Sequence, residues 1–148
     1  MESEQILSLI DKIDFFSDFT QEEKSMVASF KNSVHRYNPN EKVIGQGEAD
    51  FSLFIVLKGV VVITKDEQPN LVLNKLKPGA IFGELSILGK RLRTTNVIAE
   101  GDVFALKIDG EYLDQIDSDL KGKFKDKCIE ILIKRLDEMN ETIMKIVR

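Results

Sequence analysis

Glu84 and Arg93 stand nine residues apart. The segment around them, Phe82-Gly-Glu-Leu-Ser-Ile-Leu-Gly-Lys-Arg-Leu-Arg-Thr-Thr-Asn-Val97, gathers most of the groups in this chain that could grip a ligand. A short strand runs into a tight turn at Gly83, where the missing side chain lets backbone approach a bound molecule closely. A one-turn helix over Gly83 to Leu88 then leaves the N–H groups of Leu85 and Ser86 without intrahelical partners, and such a helix start attracts phosphate. Arg93 adds a planar fork of donors able to hold a phosphate through two parallel hydrogen bonds, a grip lysine cannot make. Glu84 is out of place beside an anion unless it accepts hydrogen bonds from hydroxyls, as on a ribose, or pairs with Arg93. One ligand satisfies all of these groups: a phosphate attached to a sugar. Taken singly, each residue has a plainer role, with Glu84 favouring a helix N-terminus, Arg93 on a strand surface and Gly83 serving a turn.

Other chemistry is thin. Gly45-Gln-Gly47 lacks the third glycine and following helix of a dinucleotide motif, and the sequence holds no GxxxxGK[ST] loop. One histidine, His35, and one cysteine, Cys128, cannot build a Cys/His zinc cluster, and lying far apart without partner motifs they read as structural, on a strand and a helix. These absences point to a binding protein without a cofactor or metal, not to an enzyme. Lys90, Arg91 and Arg93 crowd three positive charges into four positions, which suits either a small anion or a solvated turn. Lys121, Lys123, Lys125 and Lys127 point around a helix and read as solubilising.

The elements that must position the segment follow from periodicity. Ile6, Leu9, Ile10 and Ile13 recur at helical spacing, and Thr20-Gln-Glu-Glu23 is a capping box ahead of Met26, Val27 and Phe30, so two short helices are expected in the first thirty residues. From Val34 the chain turns to short β-rich runs separated by glycine, proline and asparagine. Strands are predicted over 41–44, 51–57, 60–64, 71–76, 94–99 and 102–108, spaced as in a small barrel or roll. After Asp109, a helix cap, helical spacing continues to Arg148 with a break near Asp117-Ser118. That last helix is longer than a lid over a small roll requires. Ile129, Leu132, Leu136, Met139, Ile143 and Ile146 step by three and four, the seam of a coiled coil through which two copies could pair, or else one face packed on the chain's own domain.

With 148 residues, 43% of them apolar and 31% charged, the chain fits one globular domain with its own core. The net charge of −4 argues against a nucleic-acid or anionic-membrane surface, although residues 31–110 carry eleven basic groups against nine acidic ones. No apolar run reaches the roughly 18 residues of a membrane span. The N-terminus lacks the basic and apolar regions of a secretory signal, so a cytoplasmic protein is expected.

Phe82-Gly-Glu-Leu, with an Arg-Thr pair nine residues after the glutamate, resembles the phosphate-binding cassette of the cyclic nucleotide-binding domain family. The spacing is most similar to that of hyperpolarisation-activated channels. The resemblance runs from about Phe16 to Asn140 and includes Gly47-Glu48, Phe54-Ile55-Val56, Gly59, Pro78-Gly79 and Arg135-Leu136. It implies an α+β fold: an antiparallel β-roll, jelly-roll-like in its double-stranded β-helix, flanked by N-terminal helices and a long C-terminal helix. The single domain of 1–148 would divide into helices at 1–33, the roll at 34–108 with its cassette at 82–97, and helices at 109–148. The ligand implied is cAMP or cGMP, lying against Phe82 and Gly83. Glu84 would accept the ribose 2′-hydroxyl, the Leu85 and Ser86 N–H groups would hold ribose and phosphate, and Arg93 would pair with the cyclic phosphate. Thr94 and Thr95 would complete the pocket, and Arg135 and Met139 would cap the base from the last helix, although Met139 cannot fully serve both a lid and a dimer seam. Leu92 and Asn96 depart from the family's usual residues. The function implied is a sensor that converts occupancy into movement or dimerisation of the C-terminal helix, for an effector the sequence does not identify. Two alternatives stay open: a roll that docks or dimerises without nucleotide, and a fragment of a larger channel or kinase regulatory protein. Family transcription factors continue into a DNA-binding domain, and Arg148 leaves no room for one here.

Overall fold

The computed structural model describes residues 2–29, 34–89 and 91–147, apart from the side chains of Ser86 and Ile87. Phe30 and Lys90 therefore lie outside the described residues. The elements in chain order are helix α1 (Ser3–Ile10), a 3-10 turn (Asp14–Phe16), helix α2 (Gln21–Ala28), strands β1 (Val34–Tyr37), β2 (Lys42–Ile44), β3 (Leu53–Thr64), β4 (Asn74–Leu76) and β5 (Ile81–Phe82), helix α3 (Glu84–Gly89), strand β6 (Asn96–Ile108), and helices α4 (Gly110–Gln115) and α5 (Ser118–Ile146).

Two long strands organise the roll. β3 and β6 pair antiparallel from Leu53↔Ile108 to Thr64↔Asn96, with register shifts between Val56 and Val60. One half of this ladder carries β1 on β6 and β5 on β3, and the other carries β2 on β6 and β4 on β3. The predicted strands 51–57 and 60–64 are thus one strand, as are 94–99 and 102–108. Gly59 and Gly101, which separate those predicted runs, are bends inside a continuous ladder. At Gly59, φ is +87°, and a Cβ there would lie 2.3 Å from the Asp102 carbonyl oxygen, so only glycine lets the partner strand pass this close. The strand expected over 71–76 shortens to Asn74–Leu76, leaving Leu71, Val72 and Leu73 on the surface. The short strands β1 and β5 lie outside the six predicted ranges, but they match the strand expected at His35 and the short strand expected to lead into Gly83.

Side chains alternate between two cores along β3. Leu53, Ile55 and Leu57 face the helices with Leu106 and Ile108 of β6, whereas Phe54 and Val56 fill the roll with Val97, Ala99, Val103 and Ala105. Apolar cover on both faces explains why Phe51 to Leu57 shows no polar alternation. The helical core centres on four rings, Phe15, Phe16, Phe19 and Phe124, with centroids 5.0 to 6.2 Å apart. These rings clamp the first turns of α5, where Leu120, Phe124 and Cys128 are buried.

The caps form as the sequence predicts. The Glu23 N–H donates to Thr20 Oγ1 at 3.1 Å while the Thr20 N–H donates to Glu23 Oε1 at 2.8 Å. Asp109 caps α4 as expected, and Asp117 caps α5 at the expected break. The lysines read as solubilising do more than that. Lys123 Nζ lies 2.6 Å from Glu23 and Lys127 Nζ 2.6 Å from Asp18, so the sequence-distant N-terminal segment is tied to α5.

Candidate functional site

β5 delivers the chain to the site. Phe82 lies flat on Phe54 of β3, with ring centroids 5.0 Å apart and planes inclined by 6°, and the chain then turns at Gly83 with φ of +81°. A Cβ at Gly83 would sit 2.8 Å from the Ser52 carbonyl oxygen and 2.9 Å from Arg93 Nη1. Glycine is required here for close approach as well as for the turn.

Arg93 reaches this turn from the loop between α3 and β6. Its backbone is sewn to the 45–48 turn: the Gly47 N–H donates to the Arg93 carbonyl at 2.7 Å, and the Arg93 N–H donates to the Glu48 carbonyl at 2.9 Å. Arg93 is 6% exposed, with Nη2 donating to the Ser52 carbonyl at 2.7 Å and Nη1 to the Gly83 carbonyl at 3.2 Å. The Phe54 ring lies 6.0 Å away, and the Asp50 carboxylate stands 3.9 Å from Nη2. Burial lowers the Arg93 pKa, and Asp50, Glu48 and Glu84 oppose that shift. The group stays a cation, because arginine starts so far above neutrality. Asp50 accepts the Ser52 N–H at 3.0 Å and faces Lys107 at 3.7 Å. Burial works against its charge, yet the Ser52 hydrogen bonds and the Lys107 and Arg93 charges prevail and hold it below the usual carboxylate value.

Glu84 opens α3 and is 6% exposed. The sequence allowed it hydroxyls or Arg93 as partners; it forms an ion pair with Arg135 of α5, which also donates to the Ile81 carbonyl. A cavity of about 170 Å³ is lined by Phe82, Gly83, Glu84, Leu85, Arg93, Thr94, Thr95 and Arg135, together with Ile44, Ile63, Leu92 and Val97. It is mostly apolar, with cation, carboxylate and hydroxyls at its edges, the make-up of a small-ligand site.

Ser86 lies within α3, and its side chain is outside the described residues. Met139 is 61% exposed and does not line the cavity. Asn96 is buried; it accepts the Gln46 N–H at 2.8 Å and donates to Asp66 at 2.7 Å, bracing the loops beside the site. Leu92 is 58% exposed at the cavity mouth. Arg91 is exposed while Arg93 is buried, so these two members of the basic cluster share no surface. Cys128 is fully buried, and burial pushes its thiol up to about 12; His35 stacks on Tyr37 in β1. Asp50 and Ser52, which hold Arg93 from behind, escaped sequence reasoning. They lie about forty residues away and belong to no motif.

A roll of this topology, with an arginine buried behind a glycine turn and a short helix, defines a class of ligand-binding domain. The family model for the cyclic nucleotide-binding domain matches residues 34–119, and the chain belongs to that family. The family is a regulatory one, and its domain is not itself catalytic. The chain is 36% identical over 114 residues to the cyclic nucleotide-gated channel beta-3 of Canis lupus familiaris, a match covering 74% of this chain and 14% of that protein. It is 29% identical over 126 residues to the cGMP-dependent protein kinase egl-4 of Caenorhabditis briggsae, covering 82% of this chain and 17% of the kinase. The chain therefore spans only about one sixth of the length of these relatives. Among solved structures, a cyclic nucleotide-binding domain from Methylobacillus flagellatus matches with a TM-score of 0.78 at 24% identity, over 97% of this chain and 83% of that one. The regulatory domain of Toxoplasma gondii PKA with cAMP matches with a TM-score of 0.73 at 22% identity, over 93% of this chain and 50% of that one. These two structures share the fold.

Proposed function

We propose that this chain binds one molecule of cAMP or cGMP and passes its occupancy on through α5, as a sensor and not as a catalyst. The observation that carries the reading is the buried Arg93 guanidinium, set by the Ser52 and Gly83 carbonyls at the wall that Glu84 also lines. In this reading Arg93 takes the cyclic phosphate, the Leu85 and Ser86 N–H groups hold phosphate and ribose, and Glu84 accepts the ribose 2′-hydroxyl. Phe82 and Gly83 form the floor, Thr94 and Thr95 the rim, and Arg135 the side toward the base, with Met139 outside. Because Glu84 is paired with Arg135, a ribose hydroxyl that claims the carboxylate changes what holds α5. Ligand can move the helix only by its differential affinity for the two helix positions, and this shared carboxylate supplies such a difference. The output partner, an effector or a second copy, meets the helix from outside. Among the described residues no helix is long and apolar enough to cross a membrane. The cytoplasm is the proposed site of action; a lone buried thiol needs no oxidising compartment.

A second reading, a docking roll without nucleotide, draws on one observation: protein groups already engage both Glu84 and Arg93. Calorimetric titration of the purified chain, stripped of copurified nucleotide, with cAMP and then cGMP separates the two. A saturable one-to-one isotherm is expected. Absence of heat, together with no thermal stabilisation at millimolar ligand, overturns the sensor in favour of the docking roll.

A further inference from the structure

Asn96 opens β6 beside the cavity without lining it. Its neighbours Thr95 and Val97 do line it, and Asn96, paired with Thr64 across the ladder, is buried on the other side of the strand. There the Gln46 N–H donates to Asn96 Oδ1 at 2.8 Å, Asn96 Nδ2 donates to Asp66 Oδ1 at 2.7 Å, and the Asp66 N–H donates to Gln46 Oε1 at 2.9 Å. These bonds close a ring of three residues drawn from three separate segments. Gln46 Nε2 adds a bond to Glu67 at 3.0 Å, so both carboxylates of the 65–68 turn are engaged. The ring lies beside a break in a ladder. β2 and β6 pair at Lys42↔Ile98 and Ile44↔Val97, and the two segments meet again where the Gly47 N–H donates to the Arg93 carbonyl at 2.7 Å and the Arg93 N–H to the Glu48 carbonyl at 2.9 Å. Between those contacts Thr94 and Thr95 leave the ladder to line the cavity. Opposite that excursion the Gln46 N–H is met by the Asn96 side chain in place of a backbone carbonyl.

We infer that Asn96 is a positioning residue for the phosphate end of the site. It locks the 45–48 turn in place, that turn holds the Arg93 backbone from both sides, and the guanidinium is thereby set behind Gly83. The inference rests on the sensor reading and adds to it a remote element. None of the residues of the 65–68 turn lines the cavity, yet through Asp66 and Asn96 the turn acts on nucleotide binding. An amide suits position 96 because it offers an acceptor to the Gln46 N–H and a donor to the Asp66 carboxylate at once. A carboxylate in its place would set two like charges at hydrogen-bond distance and open the ring.

Titration of the full chain with whichever of cAMP and cGMP the parent binds more tightly tests this role. Asn96→Asp should weaken binding by about tenfold. The exchange Asn96→Asp with Asp66→Asn reverses donor and acceptor across the same bond, and it should return the dissociation constant to within about twofold of the parent. In an Arg93→Ala background Asn96→Asp should cost less than about twofold, because the group through which Asn96 acts is gone. Urea unfolding of each variant confirms that the titrated chain is folded. Should Asn96→Asp not fold, Asp66→Ala, on the exposed turn, breaks the same bond and should weaken binding severalfold with the same dependence on Arg93. Unchanged binding in a folded Asn96→Asp or Asp66→Ala chain overturns the inference, as does an equal loss with and without Arg93. A parent that binds neither nucleotide overturns the sensor reading itself, and this role with it.

Discussion

Arg93 is held at the site by groups that no ligand motif contains. The Ser52 and Gly83 carbonyls fix the plane of the guanidinium, and Asp50 balances its charge from behind. Replacing Arg93 by alanine removes the cation that would meet the phosphate, and the expected loss is about 2 to 5 kcal/mol, roughly 30-fold or more in dissociation constant by titration. An unchanged constant would refute its assignment. Asp50 makes a subtler prediction. Its folded pKa lies below the unfolded value, so its contribution to stability is complete above the unfolded pKa of about 4 and fades as pH falls through the folded one. Asp50→Asn should therefore flatten the acid limb of a stability curve measured by urea unfolding, and it should weaken nucleotide binding several-fold at neutral pH. The cassette from Phe82 to Thr95 was legible because the needed groups sit within one local segment. Asp50, Ser52 and the Arg135 contact to Glu84 were not, since each depends on a strand or helix arriving from far along the chain.

At the level of elements, legibility followed how local the signal was. Thr20 and Asp109 announce helix starts through side chains that act within three residues, and both cap as read; Asp117, read only as the place of a break, caps α5. Glycine was ambiguous for a physical reason. The positive φ that makes Gly59 suit a turn also suits a bend within a ladder, and only the neighbouring strand at Asp102 decides between them. The short strands β1 and β5 carry too few residues for an alternating pattern, so only their presence at His35 and before Gly83, and not their bounds, was legible. The clamp on α5 lends itself to measurement. Phe124 touches Phe15, Phe16 and Phe19 and is buried. Phe124→Ala should cost about 3 to 5 kcal/mol in denaturant unfolding. A loss below 1 kcal/mol would mean that α5 does not dock through these rings.

For the whole molecule, β3 and β6 run through both cores, so roll and helical layer share the same two strands and should unfold in one transition. Ligand binding then reads out as global stability. At 100 times its dissociation constant a nucleotide adds about 2.7 kcal/mol. For a domain of this size that raises the melting midpoint by about 5 to 10 °C in a calorimetric scan. Two separate transitions, with only one of them moving on addition of ligand, would contradict the shared-strand account.

The buried thiol of Cys128 gives α5 a clock. Its sulfur lies on the face pressed against the roll, close enough for the charges of Glu84 and Arg135 to act on it, and it is fully covered while the helix is seated. Alkylation of that sulfur must wait for the helix to lift. In the limit where reseating outpaces reaction, the labelling rate relative to that of the unfolded chain gives the fraction of time spent unseated. The chain thus carries its own built-in gauge of helix departure, readable by mass spectrometry before and after any ligand is added.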